Sequence, residues 1–285
     1  VCALGFLAIG CGGEGAGPLG DAKDVKVWAT TASALGVYAN IHGPVAYANG
    51  KTTFPDPNCP VTSDDGTTVT ISGGCTEQGG YEWVGSVSAV RSDNGDLSLE
   101  FMDYATYSDP EARNTQSGRA EVRRLEDELH EFDVDITLEG GVTTRIDYQG
   151  RVEGTYDAPT VWSGSGSVSR EGPANPRGSI TASTLAELVD NDVCAGQPVS
   201  GETSLKAGGQ TAVIYYDGAS DCDDTATVRW SLDGEDRGRL PGIVCSVGHA
   251  GGHGAPRAPL WVALGLLLGF AARRRPEAGA RSRRS

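Results

Sequence analysis

Aromatic residues are scarce in this chain, at 7% of its positions, while glycine takes 41 of 285, about twice its ordinary share. That balance excludes a thick aromatic core and favours thin layers joined by turns. No apolar run approaches the roughly 20 residues of a full transmembrane helix; Leu260 to Ala272 offers 13. Histidine occurs only at 42, 130, 249 and 253, and the body cysteines are nowhere two to four residues apart, so a zinc site is not expected. The metalloprotease motif H-E-x-x-H and the nucleophile elbow G-x-S-x-G are both missing, which removes the plainest hydrolase signatures.

Negative charge is abundant. The formal net charge is -15, and residues 258 to 285 alone carry net +5, leaving -20 on residues 1 to 257. A field of that sign repels nucleic acid and anionic headgroups, so nucleic-acid binding is set aside. It suits a surface exposed to salt or cations.

The two ends read as addresses. At the N-terminus, Leu4 to Ile9 resembles the end of a secretory apolar region, followed by the flexible Gly12-Gly13-Glu14-Gly15. The group Leu7-Ala8-Ile9-Gly10-Cys11 resembles a bacterial lipoprotein signal, which implies lipidation of Cys11. Simple secretion and a structural strand are the alternatives. At the C-terminus, the apolar residues Leu260, Trp261, Leu264, Leu266, Leu267, Leu268 and Phe270 precede Arg273, Arg274 and Arg275. As a helix this stretch spans roughly 20 Å against a hydrocarbon core of roughly 30 Å, so it is a marginal span or a processed signal. The arginine cluster and the polar tail beyond it argue against a buried core helix.

Cys245, the Gly/His-rich spacer, the short apolar helix and the arginine cluster together resemble the C-terminal sorting signals of the myxobacterial type, relatives of the Gly-Gly and Pro-Glu-Pro tails. The resemblance covers about 40 residues. It implies export, cutting or modification near Cys245 by sorting machinery, and display at the outer membrane or cell surface, with the periplasm as second choice. The spacer holding His249 and His253 is looser than a compact Gly-Cys signal. The domain plan is then a signal remnant at 1–11, a linker at 12–24, a disulfide-stapled β-rich domain at 25–244 and an anchor segment at 245–285.

Within the body, Cys59, Cys75, Cys194 and Cys222 allow three pairings. Sequential pairing, Cys59 with Cys75 and Cys194 with Cys222, closes two turn-rich loops in an oxidising compartment.

From Thr67 onward the sequence has period two. Thr68 to Ser72, Tyr81 to Arg91 and Leu97 to Tyr104 predict strands, the last two joined by the Asn94-Gly95 hairpin turn with Leu97, Leu99, Phe101 and Asp103 on one face. Phe132, Val134, Ile136 and Leu138 mark another. Further strands are expected at Val142 to Tyr148, Arg151 to Tyr156, Thr160 to Arg170, Gly178 to Thr181, Glu202 to Leu205, Thr211 to Tyr216 and Thr225 to Leu232. Residues 105 to 118 read as a loop, and 119 to 130 as either a helix or a strand. Val25 to Trp28 reads as a short strand, residues 29 to 39 as a weak helix ended by Gly43-Pro44, and Leu185, Leu188 and Val189 as one helical turn. With nine to twelve short strands and no strand-helix alternation, the expected class is all-β: an antiparallel meander forming a curved sheet, sandwich or partial barrel, with one or two short helices and the C-terminal apolar helix. No fixed repeat is present, so a solenoid is disfavoured.

Candidates for chemistry are few. Asp217, Asp221, Asp223 and Asp224 place four carboxylates in eight residues, which suggests calcium, but the spacing is not that of an EF-hand and a solvated turn is the simpler reading. Glu126, Glu128 and His130 read as a solvated charged group. Gly164-Ser165-Gly166-Ser167 reads as a low-complexity hairpin. Trp83, Trp162 and Trp230 are expected in the core. No catalytic residue is assigned. The expectation is a non-enzymatic surface or periplasmic lipoprotein with a display, adhesion or envelope role, whose partners are the membrane and an extracellular protein or carbohydrate. The alternative is a secreted hydrolase or calcium-dependent binding module.

Overall fold

The computed structural model describes residues 18–110, 113–126, 128–154, 160–190, 198–217 and 227–241. Three helices come first: α1 (Ala22–Ala32), α2 (Ala34–Val37) and α3 (Ala39–Ala48). Fourteen strands follow: β1 (Val61–Asp64), β2 (Thr68–Ser72), β3 (Cys75–Thr76), β4 (Glu82–Arg91), β5 (Leu97–Tyr107), β6 (Thr115–Glu126), β7 (Leu129–Glu139), β8 (Thr143–Glu153), β9 (Thr160–Glu171), β10 (Gly178–Val189), β11 (Ser200–Ala207), β12 (Gln210–Asp217), β13 (Thr227–Leu232) and β14 (Glu235–Pro241). They form one antiparallel meander running from β1 to β14 in chain order, with β3 set beside β4 off the main path. The sheet is open: β1 and β14 are its two edges. The all-β meander expected from the alternation is therefore the fold.

One face of the sheet holds the core. Adjacent strands bring Leu97, Val122, Phe132, Gly150, Gly164, Thr184, Thr203, Ile214 and Trp230 into a single continuous row. The helices lie against this face, α1 near β9, β10, β11 and β14 and α3 near β4, and share one apolar cluster with it. Helix α1 starts at Asp21, whose carboxylate accepts from the Lys23 amide at 2.7 Å, and it buries Val25, Trp28, Ala29 and Ala32, a stripe at three- and four-residue spacing. The strand expected at Val25 to Trp28 is thus a helix, because the stripe continues past four residues.

Helix α3 runs through Gly43-Pro44, where a break was expected. Pro44 has no N–H to give the carbonyl four residues earlier, that of Asn40. The buried Gln116 of β6 supplies the missing donor, its Nε2 lying 3.2 Å from Asn40 O. Two further side chains hold the helical segment to the sheet. Arg91 Nε donates to Ala48 O at 2.7 Å at the end of α3, and the Leu19 amide donates to Gln210 Oε1 at 3.1 Å.

Other expectations shift for similar tertiary reasons. Residues 119 to 130 belong to strand and hairpin, with Val122 paired to Phe132 and Arg124 to His130. The expected loop at 105 to 118 is shorter, since β5 extends to Tyr107 and β6 begins at Thr115. The strand expected at Val142 to Tyr148 and the start of the one expected at Arg151 to Tyr156 are the single β8; Thr155 and Tyr156 lie outside the described residues. Leu185 to Val189 stays in β10, where a bulge between Leu185 and Leu188 replaces the helical turn. The bulge puts Ala186 at φ 48° and leaves room only for glycine opposite: a Cβ on Gly201 would lie 2.4 Å from Ala186 O. A second bulge, with Asp103 at φ 49°, turns Asp103 outward and Tyr104 inward, so the expected one-sided run from Leu97 ends at Phe101.

Candidate functional site

The interior is packed with its own side chains. Trp83, Trp162 and Trp230 are buried as expected, and Trp162 stacks on Phe132 with ring centres 4.0 Å apart. Gly164 and Gly166 lie in the middle of β9, so Gly164-Ser165-Gly166-Ser167 is not a hairpin. A Cβ on either glycine would meet the Tyr148 ring, at 2.8 and 2.7 Å, and one on Gly150 would meet Phe132 at 2.6 Å. These glycines are slots for aromatic rings on neighbouring strands. The alternating serines point the other way.

Among the described residues, Glu187 is a fully buried acid on this inner side, beside the β10 bulge. Thr203 Oγ1 donates to its Oε1, and Tyr216 OH stands 3.1 Å from Thr203 Oγ1. Nearby, Tyr148 OH lies 3.4 Å from Thr184 Oγ1. Burial first, and the Glu187 charge after it, hold the Tyr148 phenol well above its ordinary range. Acid and aromatics therefore converge, but inside the protein and out of reach of solvent. Nothing in the sequence marked Glu187: Leu185, Leu188 and Val189 read as a helical turn, and the bulge that reverses strand parity and turns the glutamate inward is a tertiary feature.

The accessible surface is the opposite face. Its register aligns Thr70, Ser88, Glu100, Arg119, Asp135, Asp147, Ser167, Thr181 and Lys206 across nine strands. Over β6 to β8 the row is charged. Glu131 sits between Arg151, at 2.8 Å, and Arg123, at 3.6 Å, and Arg145 pairs with Asp135 at 3.1 Å. The arginines of these pairs are mostly exposed, so each pair contributes about 0–1 kcal/mol. Over β9 to β11 the face turns to hydroxyls, with Ser165, Ser183 and Ser204 in one row and Ser167 and Thr181 in the next. Two shallow, open hollows lie here, one bounded by Ser165, Thr181, Ser183 and Lys206, the other by Arg123, Glu131, Gln149 and Arg151.

This surface can exchange hydrogen bonds and ion pairs with an extended partner, and among the described residues no histidine stands beside its serines. His130 stands five positions along β7 from Asp135, roughly 17 Å at strand rise, away from the row that holds Ser167. Burial, followed by the neighbouring Arg124 charge, pushes its imidazole below the ordinary histidine range. Glu126 and Glu128 flank the β6–β7 turn rather than a helix face.

The disulfide Cys59–Cys75 is formed, as the sequential pairing expected. It joins the segment after α3 to β3, and around it Asp56 accepts from the Asn58 and Gln78 amides at 2.9 and 3.1 Å. Cys194 and Cys222 lie outside the described residues, although Ser200 and Asp217, which border their segments, pair with each other. Also outside are Cys11, Cys245, the apolar stretch from Leu260 to Phe270, Arg273 to Arg275 and three of the four candidate calcium carboxylates, Asp221, Asp223 and Asp224. The backbone of Asp217 ends β12. Among the described residues no three His, Cys, Asp or Glu side chains are grouped to hold a metal, and no helix is long and apolar enough to cross a membrane. Comparison with family models, curated proteins and solved structures finds no match for this chain.

Proposed function

We propose that this chain is an exported lipoprotein of the outer membrane or cell surface, attached through its ends, whose β domain serves a non-enzymatic display, adhesion or envelope role. The observation that carries the reading is the division between the two faces. The inner face is filled by α1 to α3 and by rings seated on glycines, while the outer face is a broad polar sheet whose two hollows among the described residues are shallow and open. A hydrolase or a sugar-binding module needs acids and aromatics that converge where a substrate can reach them; here that convergence, at Glu187, Tyr148 and Tyr216, is sealed.

Two further features support the placement. A barrel wall set in lipid carries an apolar outer band, whereas this outer row is Glu100, Arg119, Asp135, Asp147 and Lys206. On this reading the domain stands in water and its anchor lies elsewhere, Cys11 and the Leu260 to Ala272 segment being the candidates. The Cys59–Cys75 bond suits an exported domain.

Intact-mass and peptide mass spectrometry of the protein purified from its own cell envelope tests the proposal. A diacyl or triacyl mass on Cys11 with loss of the tail beyond Cys245 is the expected result. An unmodified Cys11 with the tail intact overturns it.

A further inference from the structure

The turn between β4 and β5 holds a reactive dipeptide in an unreactive arrangement. Asn94-Gly95 is exposed, and Gly95 takes φ 88°, a conformation that suits glycine. In a free chain such a pair loses ammonia readily: the Gly95 amide nitrogen attacks Asn94 Cγ, its proton leaves with the side-chain amide as ammonia, and a five-membered succinimide forms. Water then opens the ring at either carbonyl, giving aspartate or isoaspartate. No electrons are transferred, and water is the only co-reactant.

Both reacting groups are engaged in the folded hairpin. The Gly95 N–H donates to Ser92 O at 3.0 Å, which opposes loss of its proton. Asn94 Nδ2 donates to Asp96 Oδ2 at 2.8 Å, while Asn94 Oδ1 accepts from the Asp96 amide at 3.3 Å and from Ser92 Oγ. Asp96 is itself held from the next strand, its Oδ1 accepting from the Arg124 amide of β6 at 2.9 Å. The side chain of Asn94 is thus fixed by a residue that is anchored to the sheet. The two donors on Oδ1 alone would favour attack by stabilising the developing oxyanion; the bonds to Gly95 N–H and Nδ2 oppose it by removing the nucleophile and the freedom to rotate.

We infer that Asn94–Gly95 is a latent deamidation site that the folded hairpin suppresses, with Asp96 as its lock. Release of the lock has a structural consequence. A carboxylate at position 94 lacks the donor that Asp96 requires and stands beside Asp93 and Asp96 in a five-residue turn. Isoaspartate also lengthens the backbone by one carbon between strands whose last pair is Arg91 with Leu97.

Peptide mapping of the full-length folded protein at mildly alkaline pH, with isoaspartate detection, tests the inference. Deamidation at Asn94 is expected to run several-fold slower in the folded chain than in the same chain in urea, and several-fold faster in folded Asp96→Ala than in the unaltered protein. Asp96→Asn has a single side-chain oxygen, able to accept from Asn94 Nδ2 or from the Arg124 amide but not from both in place, and its rate is expected to lie between those of the unaltered protein and Asp96→Ala. Thermal melting of each variant separates release of the turn from global unfolding. Equal rates in folded and unfolded chains, or an Asp96→Ala rate equal to that of the unaltered protein at unchanged melting temperature, overturn the inference.

Discussion

The two sides of strand β9 differ more than most pairs of separate elements. Trp162, Gly164, Gly166 and Val168 lie on the inner side, and three of them are matched to a ring: Trp162 to Phe132, Gly164 and Gly166 to Tyr148. Ser163, Ser165, Ser167 and Ser169 lie on the opposite side of the same eight-residue span, with Ser165 and Ser167 exposed. Shape decides what the inner side accepts, because buried groups pack at near-crystalline density. On the outer side solvent adapts to whatever side chain is there, so function can be altered on that face at little cost to the fold.

That contrast is broken or upheld first by Trp162→Ala, which removes the centre of the aromatic stack. A loss of about 3–5 kcal/mol is expected, read from the midpoint of urea unfolding. Removing the disulfide with Cys59→Ser and Cys75→Ser together is expected to cost about 3 kcal/mol, since the bond closes a 16-residue separation. The same urea experiment under oxidising conditions measures it, and a loss near zero would remove the staple from any account of stability. Gln116→Leu tests whether a polar group on the inner side is as specific as an aromatic one. It leaves the Asn40 carbonyl without its donor beside Pro44, and a loss of about 1–3 kcal/mol is expected by thermal or chemical melting.

Smaller effects belong to the outer and edge residues. Asp64 of edge strand β1 is held by the hydrogen bonds from Arg91 and then by the Gly66 amide, which bring its pKa down to about 2. Its folded value lies below its unfolded one, so the stabilisation is complete above about pH 4 and is lost as pH falls through about 2. A carbon-detected NMR titration of the Asp64 carboxyl is expected to give that midpoint, and Arg91→Gln is expected to move it toward the ordinary aspartate value. The smallest effect is expected from Ser167→Ala, within about 0.5 kcal/mol of the unaltered protein. A large loss there would mean that the outer face is part of a packed interface.

Much of this architecture is legible residue by residue. Phe132, Val134 and Ile136 alternate with charged partners and can only be a strand with one buried side; the Asn94-Gly95 pair marks a hairpin; Cys59 and Cys75 bracket a turn-rich loop. The misread segments share one cause. Residues 119 to 130 carry helical charge spacing, yet β5 and β7 each offer Val122 a partner, and the ladder outweighs local preference. Pro44 looks like a stop because the donor that lets α3 continue is 72 positions away at Gln116. Glu187 goes unmarked because the bulge that turns it inward depends on Gly201 in another strand.

Alternation, turn chemistry and composition by themselves determined an antiparallel β domain with one apolar side, an acidic body, and no recognisable catalytic motif. These are local properties, set by side-chain parity and backbone preference within a few residues. Only the tertiary structure decided that the helical segment covers one face of the sheet, that the glycines of β8 and β9 are seats for rings, and that acid and aromatics meet where solvent cannot enter. Those outcomes depend on which strands become neighbours and in what register, and register is settled by the fit of many distant residues at once.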